Sequence, residues 1–287
     1  MTSVPTNDTH AEALSNQKLQ TLVDFACELA DAAAAITLPH FRQPLSVENK
    51  LAHDGFDPVT SADRAAEQAM RELIEKRYPS HGILGEEYGF SAESSGLTWV
   101  LDPIDGTRAF ISGLPTWGTL IALYDGSKPV VGVMDQPFTE ERYFASAGNG
   151  KTICINRAKE SQLHTRDCQL LAQATMMSTA PDMFSTVEFE AQQELASKVR
   201  LMRYGGDCYA YCMLAAGHID LVVEAGLSTY DIQALIPIIE NAGGVVTDWQ
   251  GDTAANGGQV VAAATQELHQ QALVLLQSAA KKSTSIL

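Results

Sequence analysis

A layered fold of mixed α and β class is what this sequence predicts, on three observations. Apolar residues recur at helical spacing, as in Leu22, Phe25, Ala26, Leu29, Ala33 and Ile36. Between such stretches lie short apolar runs bounded by Gly, Pro and Asx residues, the pattern of buried strands. The chain has 287 residues, 45% of them hydrophobic, enough for one large domain or two closely packed halves. No internal repeat or low-complexity segment beyond the alanine-rich helix interrupts this alternation.

Taken in order, residues 1–17 are polar and aperiodic and read as a flexible tail. Lys18 to about Phe41 is an amphipathic helix, with Pro39 and Pro44 marking its end. Val47 to Lys50 is a short strand before a turn-rich loop carrying His53, which reads as a solvated histidine. Asp57 precedes a second helix capped by Thr60 or Ser61, with Ala65, Ala66, Ala69, Met70, Leu73 and Ile74 as its buried stripe. Gly82 to Gly85 is a strand delivering Glu86 and Glu87. Trp99 to Leu101 is another, Gly118 to Tyr124 and Pro129 to Asp135 form a hairpin about Asp125, and Arg142 to Ala147 adds a strand. The polar stretch from Ile155 to Thr165 separates an N-terminal half, 18–160, from a C-terminal half, 161–287. The second half predicts strands at Leu170 to Ser178, Val199 to Tyr204 and Ile219 to Val223, the last ending in Glu224. Helices are predicted from Thr186 to Leu195 and from Tyr209 through Ala216. Asp231 starts a helix through Asn241, closed by Gly243 and Gly244. Strands Val245 to Thr247 and Val260 to Ala263 and a helix from Gln266 to Ala279 complete the chain.

The formal net charge of −16 and pI of about 4.7 disfavour nucleic acid and anionic membranes as partners. The same field repels a phosphorylated substrate unless bound cations reverse it locally. Five cysteines, an odd number without a Cys-x-x-Cys pair, favour reduced thiols in a cytoplasm. Cys208 and Cys212 lie four apart without neighbouring histidines, so they read as one helix face, and the histidines have no metal-ligand spacing. No apolar run is long enough to span a bilayer and no signal-peptide core is evident, so a soluble cytoplasmic protein is expected.

The stretch Trp99-Val-Leu-Asp-Pro-Ile-Asp-Gly-Thr107 carries the chemistry. After an apolar strand, Pro103 bends the chain so that Asp102, the Ile104 carbonyl and Asp105 converge. Two acids and a carbonyl suit a hard cation such as Mg²⁺, and the Gly106 and Thr107 amides suit an oxyanion. Taken alone, Asp-x-x-Asp-Gly is read equally well as an Asx turn after a strand.

With Gly85-Glu86-Glu87 upstream and Tyr230-Asp231 downstream, this stretch resembles the inositol monophosphatase superfamily of metal-dependent phosphatases, from about Leu19 to about Leu276. The resemblance implies an alternating α-β-α-β-α sandwich, two or three Mg²⁺ per active site, a small phosphorylated substrate and a homodimer. It implies Glu86, Asp102, the Ile104 carbonyl, Asp105 and Asp231 as metal ligands, most of them in the N-terminal half. Asp63, Thr107 and Glu86 become the catalytic groups, Thr107 with Asp63 orienting the attacking water. The Gly106 and Thr107 amides become the phosphate seat. Substrate contacts fall to Asp105, Gly206, Asp207, Glu224 and Asp231. For Asp63 and Asp231 the plain alternative is a helix cap, and for Asp207 a cap on the helix from Tyr209. Glu87 reads as a supporting or surface residue, and Lys50 is the candidate for the family's upstream lysine. A cluster of like charges needs divalent metals to neutralise it. Paired metals supply what phosphate ester hydrolysis lacks, one generating hydroxide and the other stabilising the leaving oxygen.

Arg108-Ala109-Phe110, Tyr230 and Gly206-Asp207-Cys208-Tyr209-Ala-Tyr211 depart from the inositol-specific pattern. In contrast, Ile111 to Leu123, Gly206-x-x-Tyr209-x-Tyr211 and Asp220-Leu-Val-Val-Glu-Ala-Gly-Leu227 resemble the histidinol-phosphatase branch. The expected reaction is histidinol phosphate plus water to histidinol plus phosphate, in histidine biosynthesis. The alternatives are a phosphatase of inositol or another sugar phosphate, and a family member that binds metal without turnover.

Overall fold

Ser15 accepts the Lys18 amide and opens helix α1, Asn16–Thr37, which buries Leu19, Leu22, Phe25, Ala26, Leu29 and Ala33. The helix therefore begins two residues inside the stretch read as tail, and it gives way to a 3₁₀ turn, Leu38–His40, at Pro39. This computed structural model describes residues 14–44, 47–49, 58–92, 94–147 and 149–284, so Lys50, His53 and Asp57 lie outside the described residues.

Strand β1, Val47–Asn49, pairs with β2, Pro58–Thr60, and Thr60 caps α2, Ser61–Arg77. The buried face of α2 runs through Ala62, Ala66, Met70 and Ile74 and also takes in Asp63, Glu67 and Arg71. Ala65, expected in the stripe, is exposed.

Strands β3 (Gly82–Gly85), β4 (Gly89–Ser91), β5 (Thr98–Asp105), β6 (Gly118–Tyr124), β7 (Pro129–Gln136), β8 (Glu141–Ser146), β9 (Thr152–Asn156) and β10 (Lys159–Leu163) form one sheet. Its order is β10-β9-β8-β7-β6-β5-β3-β4, with the short helix α3, Thr107–Ile111, between β5 and β6. The polar stretch read as a boundary is the β9–β10 hairpin. The sheet's edge strand β10 is mostly exposed, and its polar residues suit an edge.

A second sheet takes β11 (Thr175–Ser178), β12 (Leu201–Tyr204), β13 (Leu221–Leu227), β14 (Val245–Thr247) and β15 (Gly258–Ala263) in the order β12-β11-β13-β15-β14. The expected strand from Leu170 is shorter because Leu171–Gln173 forms a 3₁₀ turn. Helix α4 is Thr186–Ala196, α5 Asp207–Ala215, α6 Thr229–Ile232, α7 Leu235–Asn241 and α8 Gln266–Thr284. The single helix expected from Asp231 is two. Pro237 lacks an N–H and its ring opposes the carbonyl of Gln233, where the break lies.

The layers follow from three apolar cores. Leu22, Phe25, Leu29, Met70 and Ile74 of α1 and α2 cover one face of the large sheet, against Trp99, Leu101, Ile121 and Val133. Its other face, through Val100, Leu120 and Met134, shares a core with α5, α7 and Val222, Val246, Val260 and Ala262 of the small sheet. The small sheet's outer face, with Met176, Leu221, Val223 and Val261, packs on Ala191 and Leu195 of α4 and Leu268 and Leu276 of α8. The result is the α-β-α-β-α sandwich. Each fully buried aliphatic side chain contributes about 1.5–3 kcal/mol, so the shared middle core ties the two sheets together. Among the described residues no helix is long and apolar enough to cross a membrane.

Candidate active site

The end of β5 decides where the acids point. Along a regular strand, residues three apart face opposite sides. Here Asp102 pairs with Leu120 and Asp105 with Gly118, three residues against two, so the strand bulges at Pro103 and Ile104. The extra residue restores Asp105 to the face of Asp102. Asp102 Oδ1 accepts the Ile104 amide at 3.0 Å and the Thr119 hydroxyl donates to the Pro103 carbonyl at 2.8 Å, fixing the bulge. The Thr107 hydroxyl donates to the Ile104 carbonyl at 3.1 Å.

Asp231 follows β13 of the small sheet, as the third residue of α6, where its Oδ2 accepts the Ser228 amide at 2.7 Å. The cap reading of Asp231 is therefore correct and does not exclude a ligand role, because the second oxygen is left to the cluster. Asp102, Asp105 and Asp231 each bring a carboxylate oxygen within 4.8 Å of the others. Burial pushes Asp102 and Asp105 well above the usual carboxylate range. The charges of Glu86, Asp105 and Asp231 add to this at Asp102, and those of Asp231 and Asp207 at Asp105. Asp231 is pushed up to about 7, again chiefly by burial. Oxygens lie about 2.1 Å from Mg²⁺, so ligands on opposite sides of one ion are about 4 Å apart. An all-oxygen cluster of that span, its carboxyls raised by burial and by one another's charge, fits a hard divalent cation.

Glu86 joins Asp102 through the ladder: β3 runs parallel to β5, Gly85 sits opposite Leu101, and the Glu86 amide donates to the Leu101 carbonyl at 3.2 Å. Glu87 is not a surface residue; its side chain is 3% exposed and lies 3.8 Å from Arg64. Asp63 is the third residue of α2, and its Oδ2 accepts both the amide and the hydroxyl of Thr60, at 2.9 and 2.5 Å. Burial and the neighbouring Glu87 charge raise its pKa against those bonds. Asp63 and Thr107, expected to act as a pair, are each bonded within their own turn.

Gly106 and the loop after β12 meet closely. Gly106 has φ +79°, and a Cβ there would lie 2.9 Å from Cβ of Asp207, so only glycine fits on both counts. Helix α5 begins at Asp207 and not at Tyr209, with Asp207 at φ +44° in the left-handed region that Asp tolerates. Asp207 is thus no cap. Its carboxylate accepts the Thr116 hydroxyl at 3.3 Å, and the Cys208 amide next to it donates to Asp105 at 2.7 Å. Burial pushes Asp207 up to about 6, opposed by the Thr116 bond and the charge of Arg108. Gly206 has no room for a side chain, since a Cβ would lie 2.6 Å from that of Ala210. Glu224 lies within β13 and not at its end. It is buried, accepts the Thr179 amide and the Tyr211 hydroxyl at 2.8 Å each, and is pushed up to about 7 by burial.

One group escaped the sequence reading. Glu67 is fully buried on α2, and its carboxylate accepts the Glu87 amide at 2.7 Å, the Tyr88 amide at 3.2 Å and Arg71 Nε at 2.7 Å. The available signal was its place on the face of Asp63, four residues on.

The inositol monophosphatase family model matches residues 18–281. The chain is 42% identical over 275 residues to the chloroplastic bifunctional phosphatase IMPL2 of Arabidopsis thaliana, covering 92% of this chain and 77% of that one. It is 34% identical over 245 residues to the histidinol-phosphatase of Mycobacterium tuberculosis, covering 83% and 91%. Among solved structures, an inositol monophosphatase from Zymomonas mobilis superposes with a TM-score of 0.80 at 41% identity, covering 90% of this chain and 98% of that one.

Proposed function

This chain belongs to the inositol monophosphatase family and is a phosphatase, and from that premise we propose that it is a Mg²⁺-dependent histidinol-phosphatase. The observation that carries the substrate is Asp207. It is a half-buried acid beside the metal-fitting cluster, with a 3.3 Å hydroxyl bond from Thr116 and the charge of Arg108 to offset its own. A primary ammonium on the substrate meets that need through a charge-assisted bond, and a neutral polyol does not. The histidinol-phosphatase relatives support the same reading.

Glu86, Asp102, the Ile104 carbonyl, Asp105 and Asp231 would hold Mg²⁺. Bound there, the ion supplies Lewis-acid polarisation of the phosphoryl oxygens and acidifies water. The Gly106 and Thr107 amides hold the phosphate, and Asp105 and Asp231 border the ester. Thr107 and Asp63 orient the attacking water, Asp63 through the carboxylate oxygen that its bonds to Thr60 leave over. Gly206 and Asp207 receive the ammonium, with Glu224 behind them. The 18–160 half thus brings most metal ligands, and the 161–287 half brings Asp231 and the substrate contacts. The working protein on this reading is a cytoplasmic homodimer.

Asp207→Asn or Glu224→Gln is expected to raise KM for histidinol phosphate severalfold to about a hundredfold, matching a loss of roughly 1.5–3 kcal/mol for a bond to a charged group. Asparagine also tolerates the left-handed backbone at 207. Hydrolysis of p-nitrophenyl phosphate, which has no ammonium, is expected to change much less. Equal losses on both esters would mean that these acids support only the fold or the metals.

A further inference from the structure

The turn that carries Glu86 is held from behind. Glu67 reaches from α2 under the end of β3, and its acceptor-only carboxylate takes three donors: the Glu87 and Tyr88 amides and Arg71 Nε. Arg71 in turn donates to the Gly89 carbonyl and, at 3.0 Å, to the Ser91 hydroxyl, so it grips β4 on the far side of the same turn. Gly85 leaves the space: a Cβ there would lie 2.0 Å from Glu67 Oε1. The residue before Glu86 must therefore be glycine for the Glu67 carboxylate to sit where it does.

We propose that Glu67, steadied by Arg71, is a positioning residue for divalent-metal binding, setting the Glu86 carboxylate against Asp102 before the ion arrives. This rests on the metal-site reading above. Glu86 stands on a turn between two short strands, and β4 is an edge strand, so the ladder restrains that turn on one side only. The bonds to Glu67 fix the backbone immediately after Glu86 and supply the other restraint. The buried Glu67–Arg71 pair, joined at 2.7 Å, ties this turn to α2.

Glu67→Gln tests the proposal, because a side-chain amide presents its own N–H₂ to a pocket of donors and leaves at least one backbone amide unmatched. Mg²⁺ binding followed by titration calorimetry on the metal-free protein is expected to weaken by about 10–100-fold, as for other groups that orient metal ligands. At saturating Mg²⁺, kcat is expected to stay near wild type, so the effect appears in the metal activation constant. Arg71→Lys keeps the charge but not the fork that spans Glu67 and Gly89, and it is expected to show the same split in milder form. It also serves as the folded variant should Glu67→Gln not fold. Wild-type Mg²⁺ affinity in a folded Glu67→Gln, or in Arg71→Lys when Glu67→Gln does not fold, would overturn the proposal. So would a lower kcat with unchanged metal affinity. Failure of the wild-type protein itself to bind Mg²⁺ would instead remove the metal-site reading on which it stands.

Discussion

Asp102→Asn is expected to lower kcat/KM by more than about 100-fold while making the metal-free protein more stable. Groups that merely orient metal ligands are worth about 10–100-fold in affinity or activity, and a direct anionic ligand exceeds them. The opposite sign for stability comes from the same residue. Asp102 is buried, and the charges of Glu86, Asp105 and Asp231 act on it. A neutral amide relieves that repulsion, and its oxygen can still accept the Ile104 amide that fixes the β5 bulge. Activity against a phosphate monoester and the thermal midpoint of the chelated protein give the two numbers. Near wild-type kcat, or a metal-free midpoint that falls by several degrees, would mean that Asp102 serves the strand and not the ion.

Chelation is expected to abolish turnover, and Mg²⁺ to restore it. Among the described residues the thiol beside the cluster, Cys208, is buried against Asp105 and pushed well above its usual range, so it is a poor nucleophile and hydrolysis is expected to depend on water activated by metal. Binding also stabilises the fold. At a hundred times its dissociation constant, a ligand specific for the native state adds about 2.7 kcal/mol. For a chain of this size that raises the midpoint by roughly 5–10 °C, at about 2–4 °C per kcal/mol. Differential scanning fluorimetry with and without Mg²⁺ reads the shift. Full activity in excess chelator would end the two-metal account.

The acids at strand and helix ends were legible because their order along the chain is diagnostic: Glu86, then Asp102 and Asp105, then Asp231. What made them converge was not legible. The one-residue bulge between Asp102 and Asp105 appears only when β5 is set against β6. Glu67 was hidden for a related reason. Its spacing to Arg71 is that of an ordinary surface ion pair on a helix, and its amide partners lie twenty residues away. The polar β9–β10 hairpin read as a boundary because an edge strand needs no apolar face on its exposed side. At Asp231 a cap and a place in the carboxylate cluster are compatible, since a carboxylate has two oxygens and the capping box uses one. The cap reading of Asp207 assumed a helix from Tyr209, but α5 starts two residues earlier and the Asp207 carboxylate bonds to Thr116 across the site.

The most direct test of the account is a comparison of kcat/KM for histidinol phosphate and myo-inositol 1-phosphate, with the same wild-type protein and saturating Mg²⁺. A site built to pair an ammonium discriminates against an ester that lacks one, because its half-buried acid then loses that partner. The expected result is a preference of at least about tenfold for histidinol phosphate, the equivalent of 1.4 kcal/mol in the transition state. Faster turnover of the inositol ester would contradict the assignment of Asp207 as an ammonium site and, with it, the histidinol-phosphatase reading.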